Sequence, residues 1–292
     1  MFEGGKTKYV VIHEDDVGMS HGANTGFQDI VSVGACSSGS VMVPCPWYLE
    51  AAQRFGADQK FDLGVHLTLN SEAPFYRWRP LTGSTSDNGL TDEHGYFWAD
   101  VKDVRANADP KAVEDEFRAQ IDQALRSGID VTHIDAHMGT ALCPEFIEAY
   151  GRMARDYKLP LLLLKDYMTY SPVEYSGPIK STEAYERVAE WAKAAGLPIF
   201  DQVIETPWER TVPATTAYED IFASIEPGLT FLSLHFNAPG DYEVIVPDEA
   251  HIRTEEYELF KSGAVTEWIE KYNITPIGFR QIRDAYRDRL AN

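Results

Sequence analysis

An α/β fold, a TIM-like βα barrel, is expected for this chain on three observations. Short apolar runs rich in β-branched residues alternate with amphipathic segments from end to end, the pattern of βα units. Eight such runs can be marked, the number a closed barrel needs. The 292 residues, 44% of them hydrophobic, are enough to bury one large core. No repeat, low-complexity tract or Ser/Gly linker divides the chain, so residues 1–292 read as one domain.

The strands are expected at Lys8–His13, Cys36–Val43, Phe61–Leu67, Asp130–Asp135, Leu161–Leu164, Ile199–Ile204, Leu229–His235 and Thr275–Ile277. Among the helices the clearest signal is Asp109-Pro110, an N-cap followed by Pro at the first helical position, which opens Lys111–Arg126 and ends at Gly128. Pro144–Tyr157, Ser181–Ala195 and Glu255–Lys271 read similarly. The segment Asn70–Ala108 carries five Pro and Gly residues together with Phe75, Tyr76, Trp78, Tyr96, Phe97 and Trp98. A stretch this long reads as a functional insertion at about 70–109; its aromatic residues either stack on a substrate such as a sugar ring or pack a small cluster of their own.

Lys and Arg total 26 against 46 Asp and Glu, a formal net charge of −20. That surface repels nucleic acid and anionic membranes, and no run of about 18 apolar residues exists to span a bilayer. Met1–Lys8 is polar, and the apolar Tyr9-Val10-Val11-Ile12 is too short for a signal-peptide core. Cys36, Cys45 and Cys143 form an odd, widely spaced set without a CxxC pair, which suits reduced buried thiols and a cytoplasmic protein.

In a βα barrel the working groups sit at the C-terminal ends of strands. Four expected ends carry them: His13-Glu14-Asp15-Asp16 after the first, Asp62 to His66 in the third, His133-Ile134-Asp135-Ala136-His137 in the fourth, and His235 in the seventh. Adjacent carboxylates leaving a strand point in different directions, so one of Asp15 and Asp16 can bind a metal while the other works on water; a helix N-cap is the alternative role. His133, Asp135 and His137, spaced by two, share one face of an extended chain, and a carboxylate between two histidines can fix a ligand's tautomer. Two imidazoles and one carboxylate make a three-ligand site with open positions, as catalytic metals have. His235 can act as a general acid. His21, His94 and His251 lack such surroundings and read as surface or loop residues, and the scattered methionines as core filling.

These residues resemble the YdjC-like carbohydrate deacetylases, which include chitooligosaccharide deacetylases. Glu14-Asp15-Asp16-Val17-Gly18-Met19-Ser20, with Asn24 beyond it, is similar to the family's ADDFG(L/M)S element; Leu63–Leu69 to its GxHLTL segment; Thr132–His137 to its THxDxH segment. Leu234-His235 and Arg253-Thr254-Glu255-Glu256 match a late histidine and an RxxE element. The motifs cover most of the chain in order. Met138-Gly139-Thr140 stand where the family usually has more histidines, and Phe236 where it has Pro. The resemblance implies a distorted βα barrel holding one divalent ion through Asp16, His66 and His137, with Asp15 as base and His133 a neighbour. Asp135, Arg253 and Glu256 are expected to face the substrate. The implied reaction removes an N-acetyl group from an acetylated amino sugar, and a homodimer is compatible with it.

Amide hydrolysis needs an activated water and a stabilised oxyanion, both of which a metal supplies. Asp15 would take the water proton, and His235 or His133 would protonate the departing nitrogen. The ligand set suits Zn²⁺ or Mg²⁺. Two other readings stay open: a glycosidase pairing Asp15 with Asp135, and a sugar-binding or regulatory barrel that keeps the metal without turnover.

Overall fold

Strand β1 (Lys8–Val17) is the hub of the sheet because its apolar run Val10-Val11-Ile12 is completely buried and its ten residues outreach every other strand. The computed structural model describes residues 5–83 and 88–291. The remaining strands are β2 (Ser38–Val41), β3 (Leu63–Leu67), β4 (Ile134–Ala136), β5 (Gln202–Glu205), β6 (Gly228–Leu234) and β7 (Ile274–Pro276). All pairings are parallel, in the order β4-β3-β2-β1-β6-β5, with β7 also on β1. The expected strand Leu161–Leu164 is reduced to two isolated bridges, Ile134 to Leu161 and Leu164 to Phe200, which link β4 to the approach of β5. The sheet thus curls into a distorted βα barrel.

The last expected strand takes no place of its own around the curl. β2 pairs with β1 only from His13 onward, which leaves the edge of Lys8–Val10 free, and β7 fills it. Helices α1 (His21–Ser32), α2 (Tyr48–Phe55), α3 (Val101–Asn107), α4 (Pro110–Arg126), α5 (Ile147–Tyr157), α6 (Glu183–Ala194) and α7 (Ala214–Ser224) lie between the strands. They are followed by α8 (Tyr242–Ile245), α9 (Pro247–Lys261), α10 (Ala264–Lys271) and α11 (Phe279–Ala291). Asp109 caps α4 through Lys111 N at 3.2 Å, with Pro110 at the start. The single helix expected over Glu255–Lys271 is two, because Gly263 adopts φ 94°, which an ordinary residue resists. No helix among the described residues is long and apolar enough to cross a membrane, and the three cysteines are free and buried.

The long insertion packs its own cluster. Trp78 and Phe97 are buried, Trp78 Nε1 donates to Asn70 O at 2.8 Å, and Trp98 Nε1 to Gly89 O at 2.8 Å. Its C-terminal part forms α3.

Below the mouth two buried histidines, His13 and His133, pack on the apolar Phe231 and Phe279. His133 is fully buried, stacked on Phe279 with ring centroids 3.9 Å apart, and its other face lies against Gly64. A Cβ at Gly64 would stand 2.4 Å from the His133 ring, closer than side chains approach. Gly64→Ala is therefore expected to cost about 1–3 kcal/mol of stability through overpacking, read by denaturant unfolding. An unchanged midpoint would show that the ring moves aside freely.

Candidate metal centre and active site

Asp15 and Asp16 reach the mouth by a local irregularity of β1. Between Glu14 and Val17 the strand advances three residues while β2 advances two, from Gly39 to Val41, and Asp16 adopts φ 60°. A left-handed non-glycine residue is strained, and such strain concentrates at functional sites. The bulge places both carboxylates on the cleft wall, where an unbroken strand would have sent them to opposite faces. Ser20, not either Asp, caps α1, accepting from Ala23 N at 2.9 Å.

The cleft, about 1110 Å³ and open to solvent, lies at the C-terminal ends of the strands and is lined by Asp15, Asp16, His66, His137, His235 and Arg253 among others. Aromatic walls come from Tyr170, Tyr175, Trp208 and Tyr242, while the long insertion contributes Glu72, Ala73 and Pro74. Its own aromatic residues do not line the cleft.

Asp16, His66 and His137 converge: one ligand atom from each lies within 4.8 Å of the others. Asp16 Oδ1 stands 3.5 Å from His66 Nε2 and 3.2 Å from His137 Nδ1, is buried, and accepts no well-formed hydrogen bond. Bonds of about 2.1 Å to a tetrahedral ion would set ligand atoms about 3.4 Å apart, so the spacing and the orphaned oxygen both fit a metal. Burial would raise the Asp16 pKa, but Arg253, whose Nη1 donates to Oδ2 at 2.7 Å, and the neighbouring His137 hold it well below the usual carboxylate range.

Each histidine of this trio has a carboxylate behind it. His66 Nδ1 is 3.0 Å from Asp135 Oδ1, which leaves Nε2 toward Asp16; His137 Nε2 is 3.0 Å from Glu72 Oε2, which leaves Nδ1 toward Asp16. Such partners fix the tautomer and orient the ring of a metal ligand. Burial depresses the His137 pKa, yet Glu72 and Asp16 outweigh it and push the ring up to about 10. The pocket stabilises positive charge at this point, whether proton or metal ion.

Asp15 faces the same space from the other side. Its Oδ1 is 2.6 Å from His13 Nδ1, and its Oδ2 accepts from Ser233 Oγ at 2.7 Å. His235 Nε2 lies 3.9 Å from Asp15 Oδ2. His235 is held by a buried assembly: Glu256 Oε2 accepts from His235 N at 2.6 Å, and Thr206 Oγ1 donates to Glu256 Oε1 at 2.8 Å. With its hydrogen so committed, the Thr206 oxygen accepts from His235 Nδ1 at 2.9 Å, and Nε2 is left open to the cleft. Burial and the Arg253 guanidinium bring the His235 pKa down to about 4, so the ring is neutral near pH 7.

Three expected site residues do not line the cleft. His133 is sealed beneath the cleft, its Nε2 3.0 Å from His13 Nε2, and burial holds its pKa well below the ordinary value. Asp135 is 1% exposed and is engaged by His66, His13 and Ser40, so it supports the site without facing substrate and cannot pair with Asp15 across the cleft as a glycosidase requires. Glu256 is fully buried under His235. Arg253 does line the cleft, stacked 4.5 Å from the Tyr242 ring and 5.3 Å from that of Trp208.

Sequence reasoning missed Glu72, Thr206 and Glu14. Glu14 accepts from Phe236 N at 2.7 Å through Oε2, its Oε1 is unpartnered, and burial together with Glu256 pushes its pKa well up. Its place beside Asp15 in a strand was the available signal; nothing local marked the other two.

Comparison with known proteins agrees with this architecture. The carbohydrate deacetylase of Thermus thermophilus is 32% identical over 284 residues, 96% of either chain. That of Thermoanaerobacter pseudethanolicus is 27% identical over 268 residues, 91% of this chain and 96% of the other. A crystal structure from Enterococcus faecalis V583, provisionally described as a cellobiose-phosphate cleavage protein, has the same fold, with a TM-score of 0.73 over 94% of this chain and 99% of that one at 20% identity. The family model for YdjC-like proteins matches residues 9–271. With nearly the whole barrel matched, the chain belongs to the YdjC-like family.

Proposed function

We propose that this chain, working as one barrel domain, is a metal-dependent deacetylase that hydrolyses the amide of an acetylated amino sugar. The observation that carries the reading is the convergence of Asp16, His66 and His137 beside Asp15 in an open cleft. Asp16, His66 and His137 would hold one divalent ion, Zn²⁺ or Mg²⁺ by ligand chemistry. When bound, the ion lowers the pKa of water and polarises the acyl carbonyl.

The chain's own residues handle the protons. Asp15, fixed by His13 and Ser233, accepts a proton from the attacking water. As the oxygen adds to the acyl carbon and the C–N bond breaks, the nitrogen must gain a proton. His235 Nε2, neutral and 3.9 Å from Asp15 Oδ2, receives it and passes it on. A ring with so low a pKa gives up an acquired proton readily, which suits a donor to a basic amine. The products are acetate and a free amino sugar.

An acetate-release assay on acetylated amino sugars tests the reading. Activity is expected with Zn²⁺ or Mg²⁺, to vanish with chelator and to return on adding metal. A chain that binds metal and releases acetate from none of these sugars is a binding module; activity that survives chelation removes the metal from the reaction.

A further inference from the structure

We infer that Arg105 clamps one aromatic wall of the cleft in place and so acts as a positioning residue for substrate binding; this role rests on the deacetylase reading and extends it to a residue outside the cleft. Tyr170, Pro172 and Tyr175, which line the cleft, all come from the stretch before α6. Among the described residues, 166–182 hold no strand or α-helix, only the short turns Tyr167–Thr169 and Ser171–Val173. The wall therefore keeps its place through tertiary contacts and not through the sheet. At its start Tyr167 is buried and stacked on Tyr185 of α6, with ring centroids 4.7 Å apart. In its middle Tyr170 and Pro172 pack on Gly139, where a Cβ would stand 2.8 Å from each. Consecutive turns, Val173 N to Tyr170 O at 3.0 Å and Ser176 N to Pro172 O at 3.1 Å, tie these side chains to the far end.

Arg105 of α3 holds that far end. Its Nη1 donates to Ser176 O at 2.6 Å and Gly177 O at 3.2 Å, and its Nη2 to Pro178 O at 3.2 Å. Nε and Nη2 also donate to the two carboxylate oxygens of Glu145, each at 2.9 Å. Successive carbonyls of an extended chain point opposite ways, and the φ of 81° at Gly177 turns these onto one cation. A planar guanidinium with five N–H donors can bridge a carboxylate and three carbonyls at once, which the point charge of a lysine cannot. Arg105 does not itself line the cleft, so its effect on a sugar passes through Tyr170, Pro172 and Tyr175, whose apolar faces suit the C–H face of a sugar ring. Asp15, Asp16, His66 and His137 are held instead by Ser233, Arg253, Asp135 and Glu72, none of them on this stretch. Loss of the clamp should therefore loosen binding and spare the chemistry.

The experiment measures steady-state kinetics of metal-loaded Arg105→Ala and Arg105→Lys on an acetylated amino disaccharide. In Arg105→Ala, KM is expected to rise at least about tenfold while kcat stays within about threefold of the parent, and Arg105→Lys should recover only part of the loss. Backbone amide exchange should quicken at residues 170–180 and stay unchanged in β1 and β3. An unchanged KM, a fall in kcat with KM unchanged, or a lysine variant equal to the parent would overturn the inference. Where Arg105→Ala does not fold, Arg105→Lys alone decides by the same split between KM and kcat. Should the parent cleave none of these sugars, the deacetylase reading fails by itself, and the clamp is then judged by amide exchange and by the calorimetric Kd for the disaccharide; unaltered exchange, an unaltered Kd or a parent that does not bind the sugar overturns it.

Discussion

Asp15→Asn is expected to lower acetate release by about 10²- to 10⁴-fold while bound metal stays at one ion per chain, the range that loss of a positioned general base produces. The separation of the two readouts follows from the geometry. Asp15 is tied to His13 and Ser233, and the group of converging ligand atoms that includes it runs through Asp135, already engaged by His66, His13 and Ser40, whereas Asp16, His66 and His137 converge around the unpartnered Asp16 Oδ1. An amide keeps the shape of the carboxylate and can still accept from Ser233, so the fold and the cleft should persist. It cannot take a proton from water. A variant within about threefold of the parent rate would remove Asp15 from the base role, and one that loses its metal as well would make Asp15 a ligand.

His66→Ala is expected to weaken metal binding by at least about 100-fold, more than the 10- to 100-fold typical of changes behind a ligand, and to abolish turnover with it. Metal content after dialysis reads the outcome; a variant that retains a full equivalent would show that His66 is structural. The parent protein should show proton-linked affinity. A ligand imidazole must be neutral, and without an ion His137 is pushed up to about 10 by Glu72 and Asp16 against the opposing effect of burial. Below that pH the ion must displace a proton, so apparent affinity should rise by up to about tenfold per pH unit, with a proton released on binding. Metal titrations in buffers of different ionisation enthalpy measure that release. Affinity that is flat with pH would place the ion away from His137.

Parallel βα architecture was legible because its signals are local: β-branched runs that must be buried on both faces, separated by amphipathic segments with recognisable caps. Asp109-Pro110 located the start of α4 to the residue. Strand ends bearing His and Asp identified the mouth for the same reason, since in this fold every strand end faces one side. Where neighbouring segments decide the outcome, local signals failed. Leu161–Leu164 has the composition of a strand but is held by only two bridges, and Thr275–Ile277 found a pairing edge on β1 that depended on where β2 began.

For this protein, then, the one-dimensional pattern determined the fold class, because residue type and alternation set strand burial, while it was the resemblance to the YdjC-like family that singled out Asp16, His66 and His137 among the polar side chains of the strand ends. The tertiary structure alone decided the division of labour among the remaining polar groups. Spacing by two placed His133, Asp135 and His137 on one face, yet depth along the barrel axis separated them: His137 reaches the cleft, Asp135 steadies His66, and His133 is walled in by Phe279 and Gly64. Glu72 and Thr206 gained their roles only from contacts 65 and 29 residues away, to His137 and His235. Depth and long-range contact are properties of the packed solid, and no local rule of strand or helix encodes them.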